Sequence, residues 1–205
     1  MKKPQLCALI LACSAIFFLF LLLPLKNAGN LYDSVIRIHV LANSDSEADQ
    51  TLKLSVRDSI LKFAREELDL GANREEAKRE VEKNLDAMET LAKSTLRKAG
   101  CFHDVSVGIT EEYYPTRTYE TLSLPAGKYL SLRVQIGKAE GKNWWCVLFP
   151  PLCLSSSVET EDALASAGMD EENVSLLMGK EKSYRVRFKL LELIGKTKQS
   201  FGELF

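Results

Sequence analysis

One string constrains this chain more than any other: Asn143-Trp144-Trp145-Cys146-Val147-Leu148-Phe149-Pro150-Pro151-Leu152-Cys153. Side chains alternate between the two faces of a strand, so adjacent tryptophans put one indole on each side of a sheet. Both faces then need cover, either from the protein's own core or from a partner. Pro150 and Pro151 end the strand, because neither supplies an N–H to a ladder. Cys146 and Cys153 flank the prolines, and both tryptophans of the chain lie in this one segment.

The N-terminus stands apart from the rest. Met1-Lys2-Lys3 precedes an uncharged run from Leu6 to Leu25, closed by Lys26. Such a run is long for a signal core and about the length that spans a bilayer as a helix. Residues 1–30 therefore read as an export signal or a membrane anchor. Cleavage and retention both stay open, since Lys26-Asn27-Ala28 is a poor cleavage box. The lysine pair predicts an N-terminus inside and a body outside. The remaining composition is ordinary, with a formal net charge of −1 over 205 residues. That balance, and the lack of a basic stripe with interleaved aromatics, argue against nucleic acid as a partner.

Export changes the reading of the five cysteines. Cys7 and Cys13 belong to the targeting run, which leaves Cys101, Cys146 and Cys153. Outside the cytoplasm Cys146 and Cys153 can form a disulfide. It needs the chain to fold back at Pro150-Pro151 until the Cα atoms lie within about 7 Å. Closing that short loop stabilises by roughly 2–3 kcal/mol. Two buried thiols beside a turn are the alternative. Zinc is disfavoured, because neither His39 nor His103 stands at ligand spacing from a cysteine pair.

Periodicity outlines an α+β domain over 31–154. Val35 to Leu41 alternates with Ile36, Ile38 and Val40 on one face and reads as a strand, leaving His39 on the other face as a structural histidine. Asn43-Ser44-Asp45-Ser46 has helix-start chemistry, followed by helical spacing at Leu52, Val56, Ile60 and Phe63 to about Leu68. Asn73-Arg74-Glu75-Glu76 has capping-box spacing, and Ala77, Val81, Leu85, Met88, Ala92 and Leu96 extend one helix to Gly100. Strands follow at Val105 to Ile109, Arg117 to Leu124 and Tyr129 to Ile136. The last is expected to form a hairpin with the Trp-Trp strand through Gly137 to Gly141. The polar stretch 155–182 reads as an insertion or mobile arm with a short helix near Ala163 to Ala167. Residues 183–205 read as a short strand and an amphipathic segment completing the domain. The expected fold is two long antiparallel helices packed on a mostly antiparallel sheet, after the N-terminal apolar helix.

The search for catalytic chemistry is negative. No G-x-S-x-G, H-E-x-x-H, Walker A or dinucleotide motif is present. Asn43-x-Asp45-x-Glu47-x-Asp49 imitates the start of a calcium loop, but Ala48 and Leu54 occupy its glycine and closing glutamate positions. Acidic residues at the positive end of a helix explain the same string. Cys146 with His103 as base is the one arguable nucleophile, although a cysteine between Trp and Val in an apolar strand is normally inert.

Two blocks carry a family resemblance. One runs Arg37-Ile38-His39-Val40-Leu41-Ala42-Asn43-Ser44-Asp45-Ser46 and on through Asp49-Gln50, Leu52-Lys53 and Val56-Arg57-Asp58. The other runs Leu124-Pro125-Ala126-Gly127-Lys128-Tyr129 and from Gly141 through Cys153. With the N-terminal segment they resemble the stage II sporulation protein R family of endospore-forming bacteria. The resemblance implies a signalling protein and not an enzyme, with no cofactor and no small-molecule substrate. Such proteins are exported from the forespore into the intermembrane space. There they trigger a membrane-embedded aspartic protease that cleaves the sigma-E precursor. Envelope hydrolysis through Cys146, or a passive structural or adhesion role, are the alternatives. An outward Trp beside a rigid turn is the type of group that dominates binding energy. Trp144 or Trp145 with Pro150 and Pro151 is therefore the first candidate contact surface, and the loop of Asn43 and Asp45 the second.

Overall fold

A computed structural model describes residues 28–119, 122–153 and 160–178, together with Gln5, Leu11, Cys13 and Ser14. The apolar N-terminal run and the strand expected near Tyr184 to Phe188 lie almost wholly outside the described residues. Among those described, no helix is long and apolar enough to cross a membrane.

The elements are α1 (Ala28–Asp33), β1 (Ile36–Leu41), α2 (Glu47–Glu67), α3 (Arg74–Lys83), α4 (Leu85–Lys98), β2 (Val105–Tyr114), β3 (Arg117–Thr118), β4 (Ser123–Leu124), β5 (Gly127–Ile136), β6 (Asn143–Phe149), α5 (Thr160–Ser166) and α6 (Glu171–Leu177). The fold is α+β, with a four-stranded sheet in the order β2-β5-β1-β6 and a small β3-β4 ribbon. β2–β5 and β1–β6 are antiparallel, and β1–β5 is parallel.

The helix starts follow the expected cap chemistry. Ser46 accepts from the Asp49 amide at 3.2 Å, and Asn73 accepts from the Glu76 amide at 3.0 Å. Glu76 reaches back to the Ala72 amide at 2.9 Å, one residue beyond the usual capping-box target. The single second helix is a correction: the stretch from Asn73 to Gly100 is two helices, broken at Asn84. Asn84 leaves helical geometry at φ −107°, ψ 9°, and its side-chain amide donates to the Glu80 carbonyl at 2.8 Å. A side chain that offers the backbone an alternative partner is how asparagine interrupts a helix. One long helix and two shorter ones replace the expected pair, with α2 packed on α4 and α4 on β2.

The expected hairpin is also corrected, because β1 lies between β5 and β6. Residues 137–142 must step across two strand spacings, about 10 Å, which six residues span easily. The loop after β1 catches them. The amides of Gly141, Glu140, Lys138 and Lys142 donate to Ala42 O (2.9 Å), Asn43 O (3.3 Å), Asn43 Oδ1 (3.0 Å) and Asp45 Oδ1 (2.6 Å). Nonlocal burial decides the order, since all six residues of β1 are buried and only a central strand can be.

The sheet is covered on both sides. On one face Ile36, Ile38 and Val40 join Val56, Ile60, Met88, Ala92, Leu96, Leu132 and Val134 in the helix-side core. On the other, Leu31, Val35, Tyr114, Tyr129 and Val147 pack with Leu164, Val174 and Leu177 of α5 and α6. Tyr32 and Trp145 lie against that second cluster.

The loop crossing predicts a sharp contrast between two glycines. A Cβ at Gly141 would run into the Ser44 carbonyl and approach Ala42 Cβ to 2.9 Å, whereas one at Gly108 meets open space. Gly141→Ala is expected to cost about 2 kcal/mol or more in urea unfolding, and Gly108→Ala nothing or a slight gain.

Candidate functional site

Polar residues at alternate positions of three strands meet on the second face of the sheet. β1 supplies Arg37 and His39, β2 supplies Glu112 and Tyr114, and β5 supplies Ser131 and Arg133. The register sets His39 opposite Arg133 on one side and Trp145 on the other. Arg37 is 0% exposed and His39 8%.

Glu112 organises one half of the cluster. His39 Nδ1 lies 3.1 and 3.2 Å from its two carboxylate oxygens, Arg133 Nε is 3.2 Å away, and the Tyr114 hydroxyl donates at 3.2 Å. Burial acts to raise the Glu112 carboxyl, but the His39 and Ser131 hydrogen bonds and the charges of His39 and Arg133 outweigh it, so it lies below the ordinary carboxylate range. Tyr114 also shares a 2.6 Å hydrogen bond with Ser131. Burial pushes the Tyr114 and Tyr129 phenols up, so both stay protonated.

Arg37 holds the other half. Its guanidinium carbon sits 4.1 Å from the centre of the Tyr114 ring and 5.3 Å from that of Tyr129. Nη2 donates to the Tyr119 hydroxyl at 2.6 Å, and Nε to the Cys146 carbonyl at 3.4 Å. Trp145 joins the same group, with ring centres 5.5 Å from His39 and 5.9 Å from Tyr114. The exposed Arg117 lies across the Trp145 indole at 4.2 Å.

The residues singled out from the sequence fall along one edge of the sheet. Trp144 packs toward the helices, with the Arg57 guanidinium 5.1 Å from its ring. Trp145 lies on the polar face, so the two indoles do separate as alternation requires. Both are half-buried. Asn43 and Asp45 stand beyond the start of β6 and hold the crossing loop, and Asn43 also donates to Asp49 at 2.8 Å. Pro150 and Pro151 stand beyond its other end, about 20 Å away at strand rise. Cys146 and Cys153 are joined by a disulfide with Cα atoms 6.3 Å apart. The returning turn lies along the edge of β6, where the Cys153 amide donates to Val147 O at 3.3 Å. His103 pairs with Asp49 at 3.4 Å, while the Cys146 sulfur is committed to the disulfide.

Sequence reasoning missed Arg37, Glu112, Tyr114 and Arg133, and treated His39 as merely structural. The available signal was the run of polar residues at every second position of β1, β2 and β5. One consequence is measurable. Glu112→Gln leaves Arg133 without its countercharge and weakens the hydrogen bond to His39, and is expected to cost about 1–3 kcal/mol at neutral pH. Because the folded Glu112 carboxyl is lowered, its contribution is complete above the ordinary carboxylate range and disappears as pH falls through the folded value. The gap between wild type and variant in urea unfolding should therefore shrink as the pH is taken down through and below the ordinary carboxylate range. A gap that stays constant would rule out an ionised Glu112 as its source.

The chain matches the family model described as stage II sporulation protein R over residues 32–159. It is 37% identical over 146 residues to "Stage II sporulation protein R" of Bacillus subtilis (strain 168), covering 68% of this chain and 65% of that relative. No solved structure matches. The matched span runs from α1 through the disulfide turn and includes the whole polar face of the sheet, and the chain belongs to the stage II sporulation protein R family.

Proposed function

We propose that this protein is an exported sporulation signal that activates a membrane-embedded aspartic protease, which then processes the sigma-E precursor. Family membership across residues 32–159 carries the reading. The matched relative is itself named for sporulation. The apolar run from Leu6 to Leu25 behind Lys2-Lys3 supports passage across the membrane. A Cys146–Cys153 disulfide is at home outside the cytoplasm. It also leaves Cys146 without the thiolate that the competing hydrolase reading needs. The protein acts by binding the active state of the protease more tightly than the inactive one, since only differential affinity shifts such an equilibrium.

Expressing the full chain beside the protease and the precursor, without other sporulation proteins, is expected to give cleavage. A version lacking residues 1–30 and confined to the cytoplasm should give none, and one exported by a foreign cleavable signal should restore it. Cleavage by the cytoplasmic version would contradict an extracytoplasmic role.

The edge formed by β6 is the proposed contact surface, with Trp145, Pro150 and Pro151 first and Asn43 and Asp45 second. Trp144→Ala, which opens the helix-side core, should lower stability by about 3 kcal/mol, and cleavage should follow the folded fraction. Trp145→Ala should reduce cleavage beyond its effect on melting, since truncation of an interface tryptophan commonly costs about 2 kcal/mol of binding. If cleavage tracks the folded fraction for both variants, the contact surface lies elsewhere.

A further inference from the structure

Four polar atoms on the second face of the sheet are buried and have no hydrogen-bond partner among the described residues: Arg37 Nη1, His39 Nε2, Trp145 Nε1 and Arg133 Nε, the last of which faces the Glu112 carboxylate as an ion pair. They belong to side chains that already touch or share a neighbour. Trp145 and His39 pack ring against ring, and Arg37 and Trp145 both pack on Tyr114. The Trp145 atom can only donate, and so can the Arg37 atom. A buried donor left without an acceptor is costly, because it has given up its hydrogen bonds to water.

The charge balance points the same way. An arginine is almost never fully buried unless it is paired, yet Arg37 is 0% exposed. Its contacts are a phenol, a backbone carbonyl and aromatic faces. Glu112, the carboxylate in the cluster, is engaged by His39, Arg133 and Tyr114. Among the described residues no carboxylate pairs with Arg37. Arg117 brings a further cation to the rim, over Trp145. The cluster thus has an excess of positive charge and a planar donor fork with one nitrogen free.

We propose that this face holds a carboxylate, bound by Arg37 Nη1 and Trp145 Nε1 with His39 Nε2 beside them. A carboxylate matches the planar guanidinium, supplies the missing acceptors and offsets the buried charge. It is delivered either by a small organic acid or by an acidic side chain of another protein, and the site lies inward from the β6 edge. The site shares Trp145 with the proposed protease contact, but it rests on the buried donors and not on the identity of that partner.

The indole N–H of Trp145 gives a local readout. In the purified full chain in neutral detergent, its ¹⁵N–¹H resonance, assigned by its loss in Trp145→Phe, is followed during titration. The probes are sodium succinate, a blocked Gly-Asp-Gly peptide, sodium phosphate, and sodium chloride at matched ionic strength. Succinate or the peptide is expected to shift the Trp145 resonance downfield and saturably while that of Trp144 stays in place. Saturation by succinate identifies a free acid as a sufficient source; saturation by the peptide alone identifies a protein-borne carboxylate. Arg37→Lys keeps the charge but loses the fork, and should weaken binding about tenfold, the equivalent of one charge-assisted hydrogen bond. Trp145→Phe keeps an aromatic side chain but removes the indole N–H, and should weaken the ligand-induced rise in melting temperature to a similar extent, which keeps the test sound if Arg37→Lys folds poorly. Phosphate binding without carboxylate binding, an equal response to chloride, no saturable response, or affinity unchanged in both variants would each overturn the assignment.

Discussion

The rest of the molecule depends on β1. It is paired on both edges, parallel to β5 and antiparallel to β6, and all of its residues are buried. Its alternation separates two unlike environments: Ile36, Ile38 and Val40 enter the helix-side core, and Arg37 and His39 enter the aromatic face. A slip of one residue would drive a guanidinium and an imidazole into that aliphatic core. The expensive residues are therefore also the ones that fix register. The loop leaving β1 extends this control, because Asn43 and Asp45 hold the crossing to β6 while Ser46 caps α2. One short segment sets strand order, register and the start of the longest of the described helices.

What was legible in the sequence follows the range of the interactions. Local chemistry was readable: the caps at Ser46 and Asn73, the period of two in β1 and β5, the strand of paired tryptophans ended by two prolines, and the fold-back at Pro150-Pro151 that brings Cys146 to Cys153. The break at Asn84 was not, because the apolar positions Ala77 to Leu96 keep their spacing through it. The crossing from β5 to β6 was not, because a hairpin and a step across β1 make the same local demands on residues 137–142. The polar face was hidden for a different reason. Ser131 and Arg133 on β5 alternate with Leu130, Leu132 and Val134 as they would on a solvent-facing strand, yet Ser131 is buried. Recognising a site there requires β2, β5 and β1 to be adjacent, which no single strand reveals.

The two faces of the sheet differ in what their composition achieves. The helix side is an aliphatic core, and burial of each large side chain there stabilises by about 1.5–3 kcal/mol. The other side buries a guanidinium, an imidazole, a carboxylate and several phenols. Ion pairs and polar groups in such settings roughly cancel their desolvation cost, and well-packed apolar replacements are often equally stable or more so. Stability alone would therefore favour a leucine or methionine at position 37. Arg37 is instead surrounded by Tyr114, Tyr119 and Tyr129, whose faces and hydroxyl hold it in one orientation with Nη1 left over. Preorganisation of this kind is what a recognition site requires, since a donor already fixed in place loses little freedom when its ligand arrives. Where a buried cluster departs from the rules that stabilise a core while its geometry is so closely held, binding is the physical reason that accounts for both.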